Sequence, residues 1–139
     1  MNSNEDPTRE LHELDCWERL SEREFGRLAF HLINEVHIVP VNYAVEDHRV
    51  FFCTSEGSKL LGIVMHHDVA FEVDDVQDDI AWSVVARGQA RVVEHPPAGF
   101  VDRLHLRTWV ATDKPIIVVI EVSQVTGREF DFVRHPQRL

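Results

Sequence analysis

Lysine is almost missing from this chain, with only Lys59 and Lys114 against twelve arginines in 139 residues. Positive charge as a whole is scarce. Fourteen Lys and Arg face 24 Asp and Glu, and the formal net charge of −10 excludes general attraction to nucleic acid or anionic lipid. Any bound anion must therefore be met by local donors. The two cysteines, Cys16 and Cys53, have no Cys-x-x-Cys spacing, so they read as packed thiols rather than a disulfide or a metal motif. No apolar run approaches the length of a membrane span, and residues 1–7 lack the basic and apolar blocks of a secretory signal. A cytoplasmic protein with no membrane partner is expected. Metal chemistry also lacks a motif. His66 and His67 are adjacent and point apart on a helix, while Asp74, Asp75, Asp78 and Asp79 lack the alternating ligands and closing Glu of a calcium loop. No Ser-His-Asp constellation supports hydrolysis.

What is present is 44% apolar residues, enough for one domain to close a core. Residues 1–9 read as a loose tail and 10–139 as a single domain. Leu11, Leu14, Trp17 and Leu20 recur at helical spacing through about residue 24. The pattern then becomes β. Strands are expected over 27–33, 36–45 and 49–54, joined by turns near Asn34 and near Asp47. A helix over 58–66 precedes a strand in which Val69, Phe71 and Val73 alternate with polar residues. Residues 82–94 form a long strand with Trp82, Val84, Ala86, Gly88, Ala90 and Val92 on its inner face, and Pro96-Pro97 opens a helix carrying Phe100, Val101, Leu104 and Thr108. The last strand, 116–120, is apolar on both faces. Its second face must meet either a copy of the chain or the N-terminal helix. Short hairpin connections and the absence of an internal repeat favour a small antiparallel barrel over a βαβ sheet.

One segment suggests chemistry. An apolar strand runs through Thr54, Ser55, Gly57 and Ser58 into Lys59 at the start of an apolar helix. Unpaired N–H groups at a helix start, a glycine permitting close approach, hydroxyl donors and an ammonium suit a phosphate. The spacing is not that of a Walker loop, so a phosphate-bearing cofactor is a better match than triphosphate hydrolysis. Simple capping by Ser55 or Ser58 beside a solvated Lys59 is the alternative. Arg27, Arg87 and Arg91 are further anion candidates, and His31 and His37 flank the first hairpin.

Five motifs occur in order: Gly26-Arg27-Leu28-Ala29-Phe30; Val39-Pro40-Val41-Asn42-Tyr43; Phe52-Cys53-Thr54 with Gly57-Ser58-Lys59-Leu60; Val69-Ala70-Phe71-Glu72-Val73-Asp74; and Trp82-Ser83-Val84-Val85-Ala86-Arg87-Gly88. Together, over about residues 10 to 125, they resemble the pyridoxamine 5′-phosphate oxidase-like, flavin-binding split-barrel family. The resemblance implies a mainly β fold, a six-stranded antiparallel Greek-key split barrel, forming a homodimer with FMN in interface clefts. It places Thr54, Ser58 and Lys59 around the FMN phosphate. It lays Val39, Pro40, Val41, Asn42 and Tyr43 along the isoalloxazine edge, and brings Trp82 and Ser83 towards the other subunit's cofactor. A flavin-dependent oxidoreductase acting on a small molecule is the function so implied. The C-terminal tryptophan and basic cluster of true pyridoxamine phosphate oxidases have no counterpart, which argues against vitamin B6 oxidation. Deazaflavin (F420) or haem binding, and a flavin carrier or sensor without turnover, are the alternatives.

Overall fold

The computed structural model describes residues 8–32, 34–55, 68–107 and 115–131. Runs of alternating apolar residues become β2 (Phe25–Leu32), β3 (Glu35–Glu46), β4 (Arg49–Ser55), β5 (Asp68–Gln77), β6 (Ile80–Val92) and β7 (Pro115–Asp131). Every pairing among them is antiparallel. β2, β3 and β4 form a meander, and the next strand crosses back to lie beside β2, which is the Greek-key step. The resulting order is β7-β4-β3-β2-β5-β6, and β6 pairs again with β7 to close the ring. Closure leaves the six strands without open edges for most of their length.

The inward residues are those the alternation predicts. Leu28, Val41, Tyr43, Val50, Phe52, Phe71, Val73, Val84, Ala86, Val118 and Ile120 fill the interior, and α1 (Glu13–Ser21) adds Cys16, Trp17 and Leu20 to the same core. Leu14 faces solvent instead. Asp47 and His48 turn β3 into β4 with φ of 53° and 56°, the left-handed pair that a two-residue hairpin with the native twist requires. Trp17 stacks on His48 with ring centroids 4.8 Å apart, so the helix also covers that turn.

Several expectations are corrected. The loose tail ends sooner, because Thr8–Glu10 form a short strand, β1, opposite Arg128 to Phe130 of β7. The last strand runs on to Asp131 rather than stopping near Ile120. The cause is a bulge: Val122 faces Gly88 while Gln124 faces Arg87, so Ser123 is an extra residue and its hydroxyl donates to the Arg87 carbonyl at 3.1 Å. One added residue reverses which positions point inward, from Val118 and Ile120 before it to Val125 and Gly127 after it, and the period-two pattern breaks. The helix expected after Pro96-Pro97 is a single turn, α2 (Phe100–Arg103), and Thr108 lies outside the described residues. So do the expected helix over 58–66, with His66, and the neighbouring His67.

The second face of β7 is covered within the chain, by a segment other than the N-terminal helix. Ile117 and Val119 join Phe51 and Cys53 in a second core closed by Phe100 and Leu106. Residues Phe100 to Leu106 therefore lie over the outside of the β4–β7 pair. Among the described residues, no helix is long and apolar enough to cross a membrane.

Candidate functional site

β3 and β4 are paired only from Tyr43↔Phe52 to Glu46↔Arg49. Before Tyr43, β3 keeps β2 as its partner, and beyond Phe52, β4 keeps β7. Among the described residues the two strands thus part, leaving Val39 to Asn42 on one lip of a split and Cys53 to Ser55 on the other. Pro40, which has no N–H to give a ladder, stands in the stretch with a single strand neighbour, where proline is tolerated.

The residues singled out from the sequence are distributed unevenly around this split. Val39 is half-buried against the core, and Val41 and Tyr43 lie within it. The Tyr43 hydroxyl donates to the Leu20 carbonyl at 2.5 Å, its ring meets Phe71 edge-on, and burial raises its pKa. That ring is committed to the interior and presents no flat face to a ligand. Pro40 faces outward. Asn42 is 7% exposed and uses both ends of its amide, Nδ2 donating to the Glu24 carbonyl at 3.0 Å and Oδ1 accepting the Arg107 N–H at 2.7 Å. Thr54 is buried next to the last residue of β4, which is Ser55. Ser58 and Lys59 lie outside the described residues.

Trp82 and Ser83 sit on β6, three strands from β3 in either direction around the ring, so one chain does not bring them to the split. Trp82 is buried. The guanidinium groups of Arg19, on α1, and of Arg23, just after it, lie 5.3 and 5.5 Å from the centre of its ring and tie the helix end to the barrel. Ser83 is half-buried opposite Asp74 and Arg128.

Among the described residues, clefts open on the outer surface. One, of about 440 Å³, lies between Glu24 and the segment carrying Asp102, His105 and Arg107. The larger, about 660 Å³, runs over β2, β5, β6 and β7, with Ala29 and Ala70 among the residues lining it and Arg87, Gln89, Ser123 and Gln124 on its walls. Its carboxylates are engaged, Asp68 by Gln89 at 3.1 Å and Glu121 by Arg91 at 2.7 Å. Among the described residues the Arg87 guanidinium has only a long 3.5 Å contact to the Thr126 hydroxyl. Of the three strand arginines considered for anions, Arg27 is tied to Glu72 and Asp74, Arg91 to Glu121, and Arg87 is the one left facing a cleft. His31 lines this cleft, while His37 stacks on Phe30 with centroids 5.4 Å apart.

The cysteines are both buried and unpaired. Burial pushes the Cys53 thiol up to about 11, far from a reactive thiolate. Among the described residues no group of three His, Cys, Asp or Glu is placed to hold a metal ion. Sequence reasoning missed Phe25, Arg107 and the bulged Ser123. Phe25 carries a signal in retrospect, being the apolar neighbour of Gly26 at the start of a strand whose alternation sends it outward.

The family model described as pyridoxamine 5′-phosphate oxidase matches residues 12–129. A curated relative, an uncharacterized protein of Mycobacterium tuberculosis, is 38% identical over 96 residues, covering 68% of this chain and 86% of that one. The crystal structure of a Corynebacterium glutamicum protein superposes with a TM-score of 0.79 at 34% identity, covering 94% of this chain and 98% of the other. The FAD binding protein of Mycobacterium smegmatis is similarly close, with a TM-score of 0.77 at 34% identity over 88% of this chain and 99% of that one.

Proposed function

This chain belongs to the pyridoxamine 5′-phosphate oxidase family, and we propose that it holds a flavin nucleotide at the split between β3 and β4 and uses it in oxidation or reduction of a small molecule. The observation that carries the reading is the parting of those strands beyond Tyr43 and Phe52, with the Thr54 hydroxyl buried at the lip. The residues present fit the group. In sequence Thr54 is followed, after Ser55 and Glu56, by Gly57, Ser58 and Lys59, which would supply hydroxyl and ammonium donors for a phosphate. The stretch from Val39 to Asn42 offers backbone groups along an edge with one strand neighbour, against which a planar heterocycle with alternating donors and acceptors is held. A bound flavin supplies hydride or single-electron transfer.

FMN satisfies these donors with the fewest atoms. FAD carries the same riboflavin phosphate, and the M. smegmatis relative is described as an FAD binding protein. Fresh protein is expected to be yellow, and mass spectrometry of the flavin freed by denaturation identifies the nucleotide. Lys59→Ala is expected to weaken its affinity about tenfold. Colourless protein that takes up neither FMN nor FAD ends the reading. Bleaching of the bound flavin by NADH or NADPH supports turnover, whereas inert flavin supports a carrier.

A homodimer is part of the proposal, formed through the outer face of β3, β2 and β5. Val36 and Ile38 are 70% and 63% exposed there, opposite His31 and Ala29, and Ala29 in turn faces Ala70. A flat apolar strip of this kind is self-complementary about a two-fold axis. The family resemblance implies that β6 of one chain approaches the cofactor of the other, which a single chain does not bring about.

A further inference from the structure

Asn42 lies on the proposed flavin strand but spends its amide on two backbone groups, and one of them fixes Arg107. The Arg107 guanidinium is thereby held 5.6 Å from the centre of the Phe25 ring, a side chain 55% exposed and the cross-strand neighbour of Asn42. Arg23, Arg27, Arg91 and Arg103 each have a carboxylate oxygen within 2.8 Å. Arg107 is different. Among the described residues its nearest carboxylate, Glu24, is 4.0 Å away with both side chains more than 60% exposed, a pair that contributes little. Its planar fork lies between the exposed Phe25 ring and a cleft of about 440 Å³, which Arg107 lines together with Glu24, Asp102 and His105.

We infer that Phe25 and Arg107 form a recognition pocket for a planar aromatic monocarboxylate. The cleft adjoins the stretch of β3 proposed for the flavin ring, so its role as the substrate pocket rests on that reading. The ligand ring lies against Phe25, and its carboxylate meets the guanidinium fork through paired charge-assisted hydrogen bonds. Glu24 and Asp102 on the rim oppose a dianion such as a phosphate monoester, and they accept from a hydroxyl or amino substituent on the ring. Leu106, buried in the second core, and the Asn42 amide hold the Arg107 backbone in place before any ligand arrives. This pre-organisation limits the ordering cost of binding.

Calorimetric titration of the protein as isolated with benzoate, benzamide and phenyl phosphate tests the pocket. Benzoate is expected to bind saturably, with benzamide and phenyl phosphate each about tenfold weaker or more. Arg107→Ala should lose about tenfold in benzoate affinity with flavin content unchanged, and Arg107→Lys should fall between. Phe25→Ala should weaken benzoate and benzamide alike. Absence of benzoate binding, equal affinity for benzoate and benzamide, or an Arg107→Ala variant that binds as the parent does overturns the inference. The two proposals fail separately: yellow protein indifferent to benzoate loses the pocket alone, whereas colourless protein that binds benzoate through Arg107 keeps the pocket and loses the flavin.

Discussion

A single guanidinium nitrogen, Arg27 Nη1, lies 2.8 Å from both Glu72 and Asp74 on the outer face of β2 and β5. One cation between two carboxylates leaves a negative charge uncompensated. Partial burial, and then the hydrogen bond and charge of Asp74, push Glu72 up to about 7 from an ordinary 4.5, with Arg27 acting in the opposite direction. Across that interval the folded protein retains a proton that the unfolded chain has released, so this site's contribution is full below it and is lost as pH rises through it. Glu72→Gln preserves a partner for Arg27 without ionising. It is expected to flatten the fall in Tm between about pH 5 and about pH 8 and to raise Tm at the upper end, as thermal melts across that range would show. At this scale the sequence was least legible. The side chains of Tyr43 and Asn42 show why: odd positions of β3 face the core, which turns the Tyr43 ring inward, and the Asn42 amide is taken up by backbone groups 18 and 65 residues away in sequence. Neither partner is visible in a local pattern.

The β6–β7 bulge illustrates the same limit for whole elements. Hydrophobic alternation located the six barrel strands, because each buries one face against a common interior. It lost β7 after Ile120, where Ser123 reverses the inward positions and leaves a stretch that reads as polar. The glycine opposite is a consequence of this geometry: a Cβ on Gly88 would stand 2.0 Å from the Glu121 carbonyl oxygen, a contact that backbone cannot relieve without moving β7. Gly88→Ala is therefore expected to cost roughly 2–3 kcal/mol, measured as a lower urea midpoint at unchanged slope. The segment from Phe100 to Leu106 was legible only as apolar content. That it covers the outer face of β4 and β7 follows from a chain reversal no periodicity encodes.

For the molecule as a whole, the doubly apolar last strand suggested a dimer, and that argument does not survive, since both faces are buried within one chain. The exposed Val36 and Ile38 supply a different basis for assembly. Replacing both with Glu should convert a dimer into a monomer by light scattering coupled to size exclusion, with an unchanged far-UV circular dichroism spectrum, because neither side chain contributes to the core. A parent protein that is already monomeric removes the interface. Fold was readable from sequence because it depends on many weak, repeated signals, whereas assembly depends on a few outward residues on one sheet.

β7 spans 17 residues and is the strand against which β4, β6 and β1 all align. During synthesis it is also the last of these to leave the ribosome. Until then β4 and β6 are hydrogen-bonding edges waiting for a partner, and every contact that closes the ring is a long-range one. The nascent chain is thus most vulnerable to misassembly with its neighbours in the interval just before β7 emerges, and translation speed over that stretch should govern the yield of folded protein.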